Sequence, residues 1–192
     1  MTAKAQLGPT DLMFPIPAAL IACGDRDYQN VLTVAWIGMV DSQTVGIGLL
    51  KNSYSLGIIR EKQAFSVNIP PTKLLEAVDY CGIASGRSAD KWAATGLTAR
   101  TDTASGVPIV AECPVNLECR LLREIELENL VLLLGKITET YVDADKVTLV
   151  GGQPRIDTAS LDPIVFFAVA DEYWSLGRKL GDAFVVGRAL LP

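Results

Sequence analysis

Histidine is absent from this 192-residue chain. That excludes a serine–histidine triad, a histidine acid–base pair and the histidine-containing zinc and iron sites. The four cysteines, Cys23, Cys81, Cys113 and Cys119, form no Cys-x-x-Cys pair, and Pro114 interrupts the strand between the last two. No metal knuckle is therefore expected, and the thiols read as small, reduced, buried side chains. No apolar run approaches the roughly 18 residues of a membrane span, and the opening stretch lacks the apolar core of a signal peptide. A cytoplasmic address without membrane contact is expected. The 17 basic residues are scattered among 22 acidic ones, so the net charge of −5 leaves no footprint for nucleic acid. Chemistry must come from carboxylates, lysine, thiols or a bound cofactor.

What is present is a globular balance of 49% hydrophobic and 20% charged residues, enough for one domain over 1–192 with its core at about 15–187. Ala18 to Cys23 reads as an apolar strand, and Asp25 to Asn30 as a polar turn. Val31 to Ile37 is a second strand, with Thr33 and Ala35 on one face and Leu32, Val34 and Trp36 on the other. In the next strand, Thr44 to Leu50, Gly46 and Gly48 suit a bend or the approach of a flat ligand. Tyr54 to Lys62 is a helix with Leu56, Ile58 and Ile59 inward. Val115 to Leu121 alternates as a half-buried strand does. Leu130 to Ile137, continuing to Val142, is apolar on both faces, and a second subunit is one way to cover the outer one. Pro163 to Phe167 is a last buried strand. Six or seven short strands with short helices between them predict a mainly β, closed antiparallel barrel that hides its edges.

The chain is organised around Ala64 to Leu97. Phe65 to Ile69 is a strand stopped by Pro70-Pro71. A helix follows, capped by Thr72, with Leu74, Leu75, Val78 and Cys81 on one side until Gly82. The polar loop Ser85-Gly86-Arg87-Ser88-Ala89-Asp90-Lys91-Trp92 leads into a second short helix ending at Gly96. Two hydroxyl-rich loop-to-helix turns, each with a basic residue, suit an anion such as a phosphate. Alternatively Ser53, Thr72 and Ser88 are ordinary N-caps.

The order of these pieces resembles the flavin reductase-like family, and in particular its flavoredoxin branch. The residues that carry the likeness are Lys51-Asn52-Ser53-Tyr54-Ser55, Phe65-Ser66-Val67-Asn68-Ile69-Pro70, Ser85-Gly86-Arg87 with Asp90-Lys91, and Glu112-Cys113-Pro114 with Leu117-Glu118-Cys119. The resemblance runs from about Pro15 to Gly187 and implies an FMN-binding split β-barrel of Greek-key antiparallel type, working as a homodimer.

The resemblance also implies a site. Asn30, Thr33, Ala35 and Trp36 match the strand and turn flanking the isoalloxazine, with Trp36 open to the plainer reading of a core aromatic. Lys51, Ser53, Tyr54 and Ser55 match the segment around the ribityl phosphate. Asn68 either reaches the flavin or caps the Pro-Pro turn. Ser85, Gly86, Asp90 and Lys91 match the second signature, where Asp90 and Lys91 also read as a solvated ion pair. Tyr173 matches a tyrosine that closes over a neighbouring chain's cofactor, or packs a dimer with Trp174. The family's Pro-Pro pair before the third strand is replaced by Asp41-Ser42-Gln43-Thr44, and Leu127-Glu128-Asn129 stands where a histidine is frequent. The implied activity is NAD(P)H:flavin oxidoreduction or flavoredoxin-like electron transfer, with a tightly held FMN carrier reduced by a partner protein as the alternative. The flavin carries the chemistry and no side chain is assigned as catalytic. A Rossmann glycine pattern is missing, so NAD(P)H would bind only transiently.

Overall fold

The second strand sets the layering. In the computed structural model, which describes residues 2–191, every residue of β2 (Ala19–Gly24) is buried. Ala19, Ile21 and Cys23 join one apolar cluster, while Ala18, Leu20 and Ala22 join another. Period-two alternation thus gives the strand two apolar faces, each covered by a different layer. Met1 and Pro192, the ends of the expected domain span, lie outside the described residues.

Before β2 comes the short β1 (Ile16–Pro17); after it come β3 (Gln29–Val34), β4 (Ile37–Asp41), β5 (Thr44–Leu50), α1 (Tyr54–Lys62) and β6 (Ala64–Ile69). Then follow α2 (Leu75–Ile83), α3 (Lys91–Thr95), the short β7 (Ala99–Arg100) and β8 (Ile109–Val110), and the long β9 (Val115–Glu126) and β10 (Leu130–Val142). The chain ends with a hairpin, β11 (Val147–Val150) and β12 (Gln153–Ile156), and with β13 (Ile164–Phe167) and β14 (Glu172–Ser175).

The main sheet has seven antiparallel strands in the order β3-β2-β6-β9-β10-β5-β4. Its two edge strands, β3 and β4, are consecutive in the chain and separated only by Ala35 and Trp36. The sheet therefore curls until its edges meet, yet no ladder joins β3 to β4. The expected mainly β, antiparallel architecture is present, but closure by hydrogen bonds is not, and a seam remains. Reading Val31 to Ile37 as one strand missed the break at Ala35–Trp36, where Ile37 N–H donates to the Ala35 carbonyl at 2.8 Å.

Inside the curl lie Ile21, Ile47, Phe65, Leu133 and, from α1, Leu56 and Ile59. Outside β2, α2 lays Val78 and Cys81 against Leu20, Val31 and Ile164. A smaller sheet, β1-β13-β14, stands beside the seam and brings Phe166 and Tyr173 to that outer cluster. On β10 the outward Leu130, Leu132 and Leu134 are only half-buried. The expected outer cover is thus partial within one chain.

Two predicted caps are replaced. Thr72 sits in a 3₁₀ turn and gives its hydroxyl to Asp162, while α3 is capped by Asp90, whose Oδ1 accepts from Ala93 N–H at 3.1 Å, and not by Ser88. Ser53 does hold the N-cap position of α1, but its side chain makes no cap bond.

Candidate functional site

A cavity of about 540 Å³ lies at the seam, within the roughly 300–1,000 Å³ of small-molecule sites. One lip is the β3–β4 connection, Thr33 to Trp36, and the other is the end of β5 with the start of α1. Trp36 is 43% exposed, so it is a lip residue and not a core aromatic. Its carbonyl accepts from Gly48 N–H at 2.8 Å, and a Cβ on Gly48 would stand 3.2 Å from the Trp36 Cβ. Glycine there lets the two lips approach.

The polar end is built from three short segments. Ser53 and Ser55 open α1, which has no acidic residue in its first turn, so its N-terminal amides are not offset by a carboxylate. Asn30 Nδ2 donates to Ser55 Oγ at 2.7 Å. The Ser85–Arg87 loop lies against both: a Cβ on Gly86 would come within 2.7 Å of Asn30 Cγ and Tyr54 Cδ1. Arg87 stacks on Tyr54, with its guanidinium carbon 5.3 Å from the ring centroid, and donates through Nη1 to the Asn52 carbonyl at 3.0 Å. These contacts leave several guanidinium N–H groups free for a guest.

Lys91 lines the wall at 3% exposure and donates to the Cys81 carbonyl at 2.8 Å. Burial lowers its pKa, and the nearby Cys81 and Cys23 thiols counter this only in part. Burial pushes those thiols up, Cys23 to about 12 and Cys81 to about 11, so they stay protonated at neutral pH. None of the described residues lining the cavity is acidic. In a chain of net charge −5, a lining with two cations and no described carboxylate favours an anionic guest over a cationic one.

The structure brings Asn30, Thr33, Ala35, Trp36, Ser53, Tyr54, Ser55, Ser85, Gly86 and Lys91 together around the cavity. It does not bring Lys51, Asn68 or Asp90 there. Lys51 pairs with Glu126 at 2.9 Å on the surface, and Asp90 caps α3. Asn68 is fully buried among Leu20, Ser66, Val110 and Asn116. Tyr173 lines an adjoining lobe and donates to Asp79. Sequence reasoning missed Arg87 and Phe166 as lining residues. Arg87 was signalled by its place in the Ser-Gly-Arg turn; Phe166 carried no signal beyond a buried strand.

The sequence model of the family described as flavin reductase like domain matches residues 12–167. The chain belongs to that family. Solved relatives agree over nearly the whole fold. A flavoredoxin of Desulfovibrio vulgaris (Miyazaki F) is 33% identical, with a TM-score of 0.87 over 97% of this chain and 100% of that one. A flavoredoxin from Methanosarcina acetivorans is 26% identical, again at 0.87, covering 99% and 100%. An uncharacterized protein of Archaeoglobus fulgidus is 31% identical over 150 residues, 77% of this chain and 82% of its own length. In this flavin reductase-like fold, the seam cavity is lined by two cations, Arg87 and Lys91, by the hydroxyl residues Ser53, Ser55 and Ser85, and by the exposed Trp36.

Proposed function

We propose that this chain binds FMN in the seam cavity and acts as an oxidoreductase that transfers a hydride from NADH or NADPH to the flavin. The observation that carries this reading is a cavity with apolar lips, two cations, unpaired hydroxyl valence and no acidic described lining residue. FMN combines the matching features, a flat aromatic ring and a phosphate dianion. Its size and donor set fit. Arg87, Ser53, Ser55 and the first amides of α1 would hold the phosphate, since charge-assisted bonds and a helix N-terminus both favour an anion. Asn30 and the polar backbone of β3 would meet the ring's polar edge, with Trp36 packed beside it. The likeness to two flavoredoxins supports the same reading.

A bound flavin would supply the electron sink that this histidine-free chain lacks. The protein's own part is to bind, orient and exclude water. Lys91 presents a buried ammonium at the wall, and the charge of an anionic guest beside it would offset the desolvation that lowers its pKa. With no Rossmann glycine pattern in the chain, the nicotinamide donor would dock only for the transfer.

The proposed working form is a cytoplasmic homodimer. Half-exposed Val40, Leu132 and Leu134 meet over Gly46 on the outer face of the main sheet, an apolar strip that a second copy would cover. The deciding experiment is an absorbance spectrum of the purified chain, before and after anaerobic NADH and then NADPH. Flavin bands that bleach at turnover speed are expected. Bands that persist until a reduced protein is added would instead make the chain an electron carrier. No flavin uptake after soaking in FMN would sink the reading.

A further inference from the structure

A second cavity, of about 530 Å³, shares no lining residue with the seam. One wall is the turn between β2 and β3 with the end of α1, and the other is the connection from β7 to β8. Both walls are tied to the body of the fold. In the turn, Asp25 Oδ1 accepts from the Asp27 and Tyr28 N–H groups at 3.0 and 3.1 Å, and Oδ2 pairs with Lys62 at 2.8 Å. In the connection, Ser105 N–H donates to Glu118 at 3.1 Å. Ala104 N–H donates to the Tyr141 hydroxyl at 3.0 Å, which itself donates to Glu118 at 3.1 Å. Glu118 is 1% exposed, so a buried carboxylate that the seam does not use fixes this wall. These bonds occupy Asp25 and Lys62 and leave two unlike charges. Arg26, on the turn, joins no ion pair among the described residues. Asp102, on the other wall, accepts from Arg100 Nε through Oδ1 at 2.9 Å and keeps Oδ2 for a guest. That hydrogen bond, and then the Arg100 charge, hold its carboxyl below the usual range, so it is ionised at neutral pH.

We infer that this second cavity binds a short zwitterionic peptide, with Asp102 holding its ammonium and Arg26 its carboxylate. Arg26 and Asp102 line one cavity from different walls without pairing with each other, so a guest that carries both charges can bridge them. A guest with only a positive charge would be repelled by Arg26, and one with only a negative charge by Asp102; the zwitterion alone is attracted at both ends. The volume lies in the range of drug-sized guests and exceeds what a free amino acid fills. The Thr101 and Ser105 hydroxyls would meet the peptide group, Ser105 accepting from Val107 N–H at 3.4 Å and keeping its proton to donate. An apolar side chain of the guest would lie on Ala64 and Val107. The site works with or without a bound flavin, since the two cavities share no residue.

The test titrates three probes into the full chain, with and without added FMN, and follows backbone amide shifts by NMR. The probes are leucyl-leucine, the same dipeptide with its amine acetylated, and the same dipeptide with its carboxylate amidated. The wild type should bind leucyl-leucine with a Kd on the order of 1 mM or tighter, and each blocked form at least about fivefold more weakly. Arg26→Gln should erase the preference over the amidated form, and Asp102→Asn the preference over the acetylated form. Both side chains are exposed, so Tm and flavin uptake should stay close to those of the wild type. A wild type that shows no saturable shift by about 10 mM, or that binds the three probes alike, overturns the site. Variants that keep the wild-type preferences overturn it too. Binding abolished by FMN would put the peptide in the seam cavity and overturn it as well.

Discussion

Asn30 and Asn68 occupy strands β3 and β6, the two neighbours of β2, and both are buried. Their hydrogen-bonding valences are used very differently. Asn68 gives its amide nitrogen to the Leu20 carbonyl at 2.9 Å and to Ser66 Oγ at 3.0 Å. Its oxygen accepts from Val110 N–H at 3.0 Å and from Asn116 Nδ2 at 2.9 Å, so two donors and two lone pairs are all spent. Asn30 spends one donor on Ser55 and turns its oxygen toward Gly86 at the cavity edge. Burial is common to both. The residue that retains unspent valence beside open volume is the one fitted to meet a ligand.

The largest effect expected from this contrast is on stability. Asn68→Ala removes the side-chain acceptor of the Val110 amide, one donor to the Leu20 carbonyl and one partner of Asn116, which should cost about 3 kcal/mol and lower Tm by on the order of 10 °C. Thermal unfolding with and without FMN would show it, and the folded fraction should still take up FMN with normal affinity. If Asn68→Ala lost FMN at an unchanged Tm, the contrast with Asn30 would be broken.

Next comes a binding effect. Arg87→Ala removes the free guanidinium from the cavity and should weaken FMN about 10- to 100-fold, as for a charged hydrogen bond, with little change in Tm. Lys51→Ala, which breaks only an exposed pair with Glu126, should change FMN affinity by less than about twofold. Fluorescence titration of FMN against the two variants gives the ranking, and the reverse order would return the phosphate to Lys51.

The smallest effect is a titration. The Asn68 cluster contains no titratable group, whereas the cavity wall contains Lys91. Burial lowers the Lys91 pKa from its ordinary 10.5, so between the lowered value and 10.5 the unfolded chain binds more protons than the folded one. Stability therefore gains a component that rises with pH through that window. Lys91→Met removes it. Urea unfolding at pH 7.5 and 9.5 should show the wild type gaining on the variant as pH rises. An unchanged difference would mean that the ammonium is solvated in the folded chain.

The local parts of this architecture were legible from sequence. Helix α1 was readable because the inward Leu56, Ile58 and Ile59 are set within a few residues of one another, whereas the left-handed turn at Gln63 that ends it carried no signal. The strands around Phe65 and Leu133 were readable because alternation and apolar runs are short-range signals. The seam was not. It depends on β3 and β4 reaching opposite edges of one sheet, which no window of sequence encodes. The same limit explains Lys51 and Arg87. Each sits beside hydroxyls, and only the partner decides the role: Glu126, far along the chain, neutralises Lys51, while Arg87 meets a tyrosine face and a carbonyl. Asp90 illustrates a third case, a helix cap whose neighbourhood to Lys91 in sequence places only the lysine in the cavity.

Because the strands flanking the seam are consecutive, both lips of the cavity and its principal hydroxyls are written between Asn30 and Ser55. The remaining wall comes from a second short stretch, Cys81 to Lys91, with single contributions from Leu130 and Phe166. The long ladder of β9 and β10, which holds the sheet together, contributes almost nothing to the guest. A lineage carrying this chain can therefore remodel the shape of its pocket in the first stretch and its charge in the second, where Arg87 and Lys91 lie, while the β9–β10 ladder is inherited unchanged.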